Sequence, residues 1–311
     1  MAQPSSTLRA YLQLVRLPNL FTAMADVTMG FLFTHAVFGR GDGWVFAFLL
    51  AASSLLYAAG VTLNDVFDFQ IDARERPHRP LPSGRIPLAA ARWLGWELLL
   101  IGVALAWTAA FLADDLRPGV VATFLAGSIV LYNGLVKRTP LGPPAMGACR
   151  MLNVLLGMSV AAVPWQDEHW TVAASIGTYI VGVTWFARTE AGRSSRWHLG
   201  LATAVILLGI GMLWQLPGRC DRDRVVLLLQ QEPGRFSLLI AVLALLIGFR
   251  CLRAVVEPVP HRVQTAVKQC ILSLVILDAT ACFVVRDVAG AVIVLLLLVP
   301  TVILGRWIES T

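Results

Sequence analysis

Charge is what this chain has least of. Asp, Glu, Lys and Arg make up 14% of its 311 residues, against 57% hydrophobic ones, and the mean hydropathy is +0.72. A soluble domain carries about a quarter charged residues and could not bury so much apolar surface. Lipid can cover it, so composition alone places the chain in a membrane. Cysteine is sparse and unpatterned. Cys149, Cys220, Cys251, Cys270 and Cys282 are odd in number and fit no CxxC metal spacing. Most lie in or beside apolar runs, where cysteine acts as a small hydrophobe. His35, His78, His169, His198 and His261 are scattered without HExxH spacing, so none is given a ligand role. Low-complexity linkers and a second soluble domain are both missing, so residues 1–311 read as a single transmembrane domain. A clean signal-peptide core is missing too, because residues 1–6 are polar and the first apolar stretch carries Arg16 and Asp26. The expectation is a chain that inserts through its own first helix.

A spanning helix needs roughly 20 mainly apolar residues. Ten stretches qualify, at 12–38, 44–63, 88–113, 118–136, 144–163, 170–187, 197–216, 236–256, 264–285 and 288–307. The fold class expected is therefore all-α, a polytopic transmembrane bundle of nine or ten helices. The net charge of +6 and a pI of about 9.4 reflect arginines spread over many loops. They form no basic stripe with interleaved aromatics, so a nucleic-acid partner is not expected. Loop Lys/Arg bias instead orients the chain. With Arg9 and Arg16 on the cytoplasmic side, the even loops are basic. They carry Arg74, Arg76, Arg79 and Arg85, then Lys137 and Arg138, then Arg188, Arg193 and Arg196, then Arg253, Arg262 and Lys268. The third and fifth loops carry Asp114, Asp115, Asp167 and Glu168. The seventh loop, 217–235, breaks the pattern with several arginines, although acids accompany them. Arg306 suits a cytoplasmic C-terminus and an even number of spans.

The chemistry is concentrated after the second apolar run, in Asn64-Asp65-Val66-Phe67-Asp68-Phe69-Gln70-Ile71-Asp72. If the helix continues through it, Asn64, Asp68 and Asp72 share one face at i, i+4 and i+8, with Asp65 roughly 100° round. Like charges this close beside a bilayer are costly unless cations neutralise them. Carboxylate and amide oxygens are hard ligands that suit Mg²⁺, and Mg²⁺ favours phosphate oxygens. A few carboxylates with open positions thus imply a phosphate-bearing substrate. Arg74-Glu75-Arg76-Pro77-His78-Arg79-Pro80-Leu81-Pro82-Ser83-Gly84-Arg85 follows at once. Its prolines end the helix, and its arginines can fork onto phosphate. Arg79 is the best single candidate, with Arg74, Arg76 and Arg85 behind it and His78 in reach by adjacency alone. Lys137-Arg138 could close over the same site if the helices bundle.

The Asn-Asp-x-x-Asp-x-x-x-Asp run followed by Arg79-Pro80-Leu81-Pro82-Ser83-Gly84 resembles the UbiA superfamily of intramembrane prenyltransferases. Three further patches are similar to that family: Arg16-Leu17-Pro18-Asn19, Leu131-Tyr132-Asn133-Gly134-Leu135-Val136-Lys137-Arg138, and the Arg-x-x-Asn of Arg150-Met151-Leu152-Asn153. The resemblance implies a UbiA-like bundle, commonly of nine helices, that moves a prenyl group from an isoprenoid diphosphate to an apolar acceptor. The acceptor would be an aromatic ring or a lipid hydroxyl. It implies that Asn64, Asp65, Asp68 and Asp72 hold Mg²⁺, and that Asp68, Asp72, Arg79 and Lys137 carry catalysis. Asn19, Asp26, Arg74, Arg138, Tyr132, Arg150, Asn153, Arg188 and Glu190 would bind substrate. Phe67 and Trp185 join Tyr132 as candidate π faces for an allylic cation.

Of three acids inside apolar spans, Asp26 is expected to face the cavity, whereas Glu97 and Asp278 are expected to be structurally paired. The family's second Asp-rich motif is degraded: residues 186–196 keep one carboxylate, Glu190, among arginines. Arg188 and Arg193 would pair with the diphosphate directly, or they mark a member that binds or transports a prenylated lipid without catalysis. Residues 184–190 and 274–279 resemble the EboC-like bacterial branch, which implies a bacterial plasma membrane with the site on its cytoplasmic side. A phosphatidyl-type transferase is disfavoured because its D-G-x-x-A-R start is absent. A secondary transporter has no need of an Arg-Pro and Ser-Gly loop after an acid cluster. The motifs leave the acceptor, the prenyl chain length and the oligomeric state open.

Overall fold

The computed structural model describes residues 7–35, 39–188 and 194–308. Among the described residues every regular element is helical. In chain order these are α1 (Thr7–Leu14), α2 (Leu17–Thr34), α3 (Asp42–Phe67), α4 (Phe69–Glu75), α5 (Leu88–Ala113) and α6 (Arg117–Leu131), which runs into a π turn, Tyr132–Val136. Then follow α7 (Gly142–Gly157), α8 (Asp167–Ala187), α9 (Arg196–Trp214), the short α10 (Leu216–Arg219) and α11 (Leu227–Gln231), α12 (Gly234–Val256), α13 (Pro260–Leu296) and α14 (Leu298–Trp307). α2 is central and touches α3, α7, α13 and α14. α5 packs on α3, and α8 sits between α7 and α9.

Two expected boundaries move, each for a local reason. The first stretch breaks at Arg16, which adopts φ 48°, ψ 51°. Pro18 lacks the N–H a helix interior needs, so it is accommodated in the first turn of a new helix. The fifth helix stops at Gly157, short of residue 163. There Ser159 Oγ donates to Leu156 O at 2.7 Å and Trp165 Nε1 donates to Met158 O at 3.0 Å.

Among the described residues seven helical stretches are long and apolar enough to cross a membrane, and the last, Pro260–Trp307, has 48 residues. That is more than one crossing requires. The chain reverses inside it at Asp287, whose φ of 61° and ψ of −169° leave the helix. Distances along α2 demand this. Asp278 lies against Asp26, and a Cβ on Gly305 would stand 3.9 Å from Pro18 Cβ. Pro18 and Asp26 are only about 12 Å apart on α2, while Asp278 and Gly305 would be about 40 Å apart on a straight helix. The two halves of this run, together with α2, α7 and the other six stretches, make up the ten segments read from the sequence.

The bundle has two polar ends. One carries Arg16, the Asn64–Asp72 run and Lys137. The other carries the loops after α2, α5, α7 and α9. There Arg224 Nη1 meets Glu168 Oε1 at 2.7 Å and its Nη2 donates to Phe33 O at 2.8 Å. Arg219 pairs with Asp167 at 3.4 Å and Arg235 with Glu232 at 2.5 Å. Three of the four arginines of the seventh loop, Arg219, Arg224 and Arg235, are therefore paired with acids at their own end, which explains why they break the charge alternation.

Close helix approach depends on small residues. A Cβ on Gly157 would stand 2.5 Å from Val27 O and 2.8 Å from Val27 Cα, and one on Gly30 2.7 Å from Val154 O. The backbones of α2 and α7 touch here. Gly157→Leu is expected to separate them and cost about 3 kcal/mol, the upper range for overpacking. Thermal unfolding of the detergent-solubilised variant would read this, and an unchanged midpoint would show that the crossing tolerates a side chain.

Candidate active site

The Asn64–Asp72 run is not one straight helix. α3 ends at Phe67, and Asp68 stands at the junction with φ −90°, ψ 3° before α4 begins. The one-face arrangement expected of an unbroken helix is thereby divided. Asn64 and Asp68 form one half and Asp65 and Asp72 the other. Among the described residues no three His, Cys, Asp or Glu side chains converge as a ready-made metal site.

Each half has its own cations. Lys137 Nζ lies 2.5 Å from Asn64 Oδ1 and also donates to Asp68 Oδ2. Arg138 Nη2 reaches Asp68 Oδ1 at 3.0 Å. On the other side, Arg79 Nη1 sits 2.8 Å from Asp72 Oδ2 and 3.5 Å from Asp65 Oδ1. Arg16 Nη2 reaches Asp65 Oδ1 at 3.2 Å, and Asn64 Nδ2 donates to the same oxygen at 3.3 Å. Asp65, Asp72 and Arg79 are buried, whereas Asp68, Lys137 and Arg138 retain access to solvent. Three carboxylates against four cations leave one surplus positive charge.

Local structure aims these groups. The π turn closes with Lys137 N–H donating to Tyr132 O at 2.9 Å, one residue wider than an α-turn. Such bulges recur at functional positions because they re-aim a side chain. Here the bulge delivers Lys137 over Asn64. Asn133 Nδ2 donates to Gly60 O at 3.1 Å and ties the turn to α3. Arg188 Nη2 donates to Lys137 O at 3.1 Å and also to Thr139 O, so it braces this turn through its backbone. The loop after α4 packs Leu81 and Ile86 against Ala10 and Leu14 of α1. Arg85 fastens that loop, donating to Gln13 Oε1 and His78 O, both at 2.8 Å, and to Ser83 Oγ at 3.0 Å. Arg85 is therefore occupied in the loop. Arg74 is exposed and meets no acid among the described residues.

Lys137 titrates unusually. Burial pushes its ammonium below the ordinary lysine range, and the hydrogen bond and charge of Asp68 restore only part of the shift. A function that needs the charged form is lost as pH rises through this lowered value. The alkaline limb of activity should fall at lower pH than a free lysine would give. Lys137→Arg should move that limb upward, which a pH–rate profile would read, and coincident limbs would exclude Lys137 as the titrating group.

Deeper in the bundle a second polar group forms. Arg150 Nε lies 2.8 Å from Asp26 Oδ2, and Asn153 Nδ2 donates to the same oxygen at 2.8 Å. Ser53 Oγ donates to Asn153 Oδ1 at 2.7 Å, and Asp278 lies beside Asp26. Asp26 is 0% exposed. This corrects the expectation that it faces a cavity: it holds Arg150 and Asn153 instead. Asp278 is fully buried beside Asp26, and neither of its carboxylate oxygens has a hydrogen-bond partner among the described residues, so the structural pairing expected of it is not found. Glu97 is not paired among the described residues and points outward from α5. Asn19 lies beside Tyr57, which stands within the fields of both Arg16 and Arg150. Tyr132 is buried within reach of the Asp68 charge, Trp185 packs against the core and Phe67 is exposed. Glu190 and Arg193 lie outside the described residues.

Arg16, Tyr57 and Ser53 were absent from the expected site. Only Arg16 had a sequence signal, in the Arg16-Leu17-Pro18-Asn19 patch. Tyr57 and Ser53 sit in an apolar run, and only the packing of α3 on α2 and α7 reveals them.

The model of the UbiA prenyltransferase family matches residues 26–254. The chain belongs to the UbiA prenyltransferase family. It is an integral membrane protein of that family's fold. It is 34% identical over 175 residues to the digeranylgeranylglyceryl phosphate synthase of Ignicoccus hospitalis, covering 56% of this chain and 54% of the relative. To the synthase of the same name from Saccharolobus solfataricus it is 32% identical over 133 residues, or 43% of this chain and 45% of the relative. The matched region thus spans about half the length of these curated relatives. Among solved structures, a UbiA homologue from Archaeoglobus fulgidus bound to GPP and Mg²⁺ superposes with a TM-score of 0.65 at 12% identity, covering 92% of this chain and 99% of the other. A digeranylgeranylglyceryl phosphate synthase structure gives 0.60 at 20% identity, covering 93% and 99%. These likenesses establish the fold of this UbiA-family chain. The EboC-like similarity rests on residues 184–190 and 274–279 alone.

Proposed function

We propose that this UbiA-family chain transfers a prenyl group from an isoprenoid diphosphate to an apolar acceptor within the membrane, assisted by Mg²⁺. The observation that carries the reading is the divided Asn64–Asp72 run and its cations. Two oxygen-bearing halves, Asn64 with Asp68 and Asp65 with Asp72, are each gripped by cations at one end of an apolar bundle. The donor chemistry fits Mg²⁺: Asn64 Oδ1 and Asp68 Oδ2 already share one cation, Lys137 Nζ. Mg²⁺ bound by Asn64 and Asp68, with Asp65 and Asp72 supporting, would neutralise charge on the leaving group.

The protein's own groups account for the rest. As the C–O bond to the prenyl carbon breaks, negative charge builds on the diphosphate. Lys137, Arg138, Arg79 and Arg16 are positioned cations that stabilise that charge. Asp65 and Asp72 hold Arg79 and Arg16 in place. Tyr132 offers a π face to the allylic cation. The relatives named as digeranylgeranylglyceryl phosphate synthases support transfer to a lipid hydroxyl. The alternation of loop charge supports a cytoplasmic site, and the EboC-like similarity of residues 184–190 and 274–279 supports a bacterial plasma membrane. The test is a reconstituted assay with isoprenoid diphosphates and Mg²⁺. Diphosphate release coupled to a prenylated product, abolished by chelation and restored by Mg²⁺, is the expected result. Chelation without effect would sink the role of the metal.

A second reading is a family member that binds or transports a prenylated lipid. Arg188 favours it, because it is engaged by backbone carbonyls. Donor binding without diphosphate release, across several acceptors, would establish this reading over the first.

A further inference from the structure

We propose that the hairpin joining α12 and α13 is a binding site for an anionic phospholipid of the surrounding bilayer, with its phosphate between Arg253 and Arg262. The hairpin lies at the same end of the bundle as Lys137. α13 starts there at Pro260 and reaches the opposite end at Val284, whose carbonyl accepts from Val226 N–H. Between the helix ends is an open groove of about 400 Å³ lined by Phe249, Leu252, Arg253, Val256, Glu257 and Arg262. Phe249, Leu252 and Val256 follow helical spacing and are exposed, giving a wall on which an acyl chain can lie.

The charge of the hairpin is unbalanced. Its one acid, Glu257, is taken by Arg262 at 2.7 Å. Arg250, Arg253 and Lys268 are exposed and meet no acidic side chain among the described residues, Arg253 resting only on the Phe249 ring at 5.6 Å. By contrast, Arg16, Arg79, Lys137 and Arg138 in the candidate active site all have acidic partners. Among the described residues no acid is left to serve the hairpin, and the inferred partner lies outside the protein. It needs negative charge at the height of the helix ends and hydrocarbon immediately below. An anionic phospholipid supplies both, and basic groups at such positions attract these headgroups. A phosphate over Arg253 and Arg262 would share Arg262 with Glu257, and it would accept from the Arg253 guanidinium, which meets no acid among the described residues.

Thermal unfolding of the delipidated, detergent-solubilised protein tests this with phosphatidylglycerol and phosphatidylcholine of identical chains. Phosphatidylglycerol in hundredfold excess over its Kd should raise the midpoint by about 5 °C, and phosphatidylcholine by much less. The double variant Arg253→Gln/Arg262→Gln should lose the difference. Leu252→Trp, which fills the groove from an exposed position without changing charge, should lose it too. Arg92→Gln, an equal loss of charge on exposed α5 surface, should keep it. Equal shifts with both lipids, a full shift in Leu252→Trp, or an equal loss in Arg92→Gln would each overturn the site, the last pointing to diffuse surface charge. If the double variant does not fold, Leu252→Trp decides the matter alone.

Discussion

Asp68→Ala should abolish prenyl transfer, by roughly a thousandfold or more, and leave the protein folded and inserted. Asp68 is the one carboxylate that meets both Lys137 and Arg138, and it shares Lys137 with Asn64. Removing it frees two cations and removes one of the two oxygen-bearing side chains in the half most open to solvent. Loss of a single preorganised electrostatic group commonly costs 10²–10³ in rate, and Asp68 orients several at once. Stability should fall far less than activity, since Arg138 is exposed, Lys137 keeps its bond to Asn64 Oδ1, and pairs open to solvent contribute about 1 kcal/mol or less. The measurement is turnover and thermal midpoint on the same purified sample. Turnover retained at wild-type level would refute the assigned role.

Arg79→Ala should be the most damaging substitution to both fold and activity. Arg79 is 3% exposed and touches Asp65 and Asp72, themselves 5% and 4% exposed. Truncation leaves two buried carboxylates short of a cation. Breaking a buried pair in this way typically costs about 3–5 kcal/mol. Asp72→Asn placed on top of Arg79→Ala should recover part of the stability, because one uncompensated charge is gone. It should recover none of the activity. A single-variant midpoint within a degree of wild type would show that Arg16 alone suffices to neutralise the pair.

The fold was largely legible in the sequence because lipid imposes one rule on every span: long, apolar and helical. The ten stretches are all there, and the acid partners of Arg219, Arg224 and Arg235 explain why the 217–235 loop broke the charge alternation. What was not legible depends on contacts between distant segments. The break at Asp68 has no proline or glycine to announce it, so a continuous helix was the natural reading of Asn64 to Asp72. Nothing in the apolar run around Ser53 and Tyr57 says that these two polar groups turn inward to α2 and α7. Asp26 shows the opposite error. An acid in a span suggested a cavity, but its partners, Arg150 and Asn153, are more than 100 positions away in sequence. The reversal at Asp287 was half visible, since Arg286-Asp287 is the only pair of adjacent charged residues in the last apolar run.

Lys137 Nζ sits between Asn64 Oδ1 and Asp68 Oδ2, the two oxygens that the proposed function gives to Mg²⁺. Metal arriving alone has to evict an ammonium that then lacks an anion, and diphosphate arriving alone has to approach a lysine already neutralised. Arriving together, each supplies what the other displaces. The two affinities should therefore be cooperative, each ligand tightening the other by the same factor, as linkage requires.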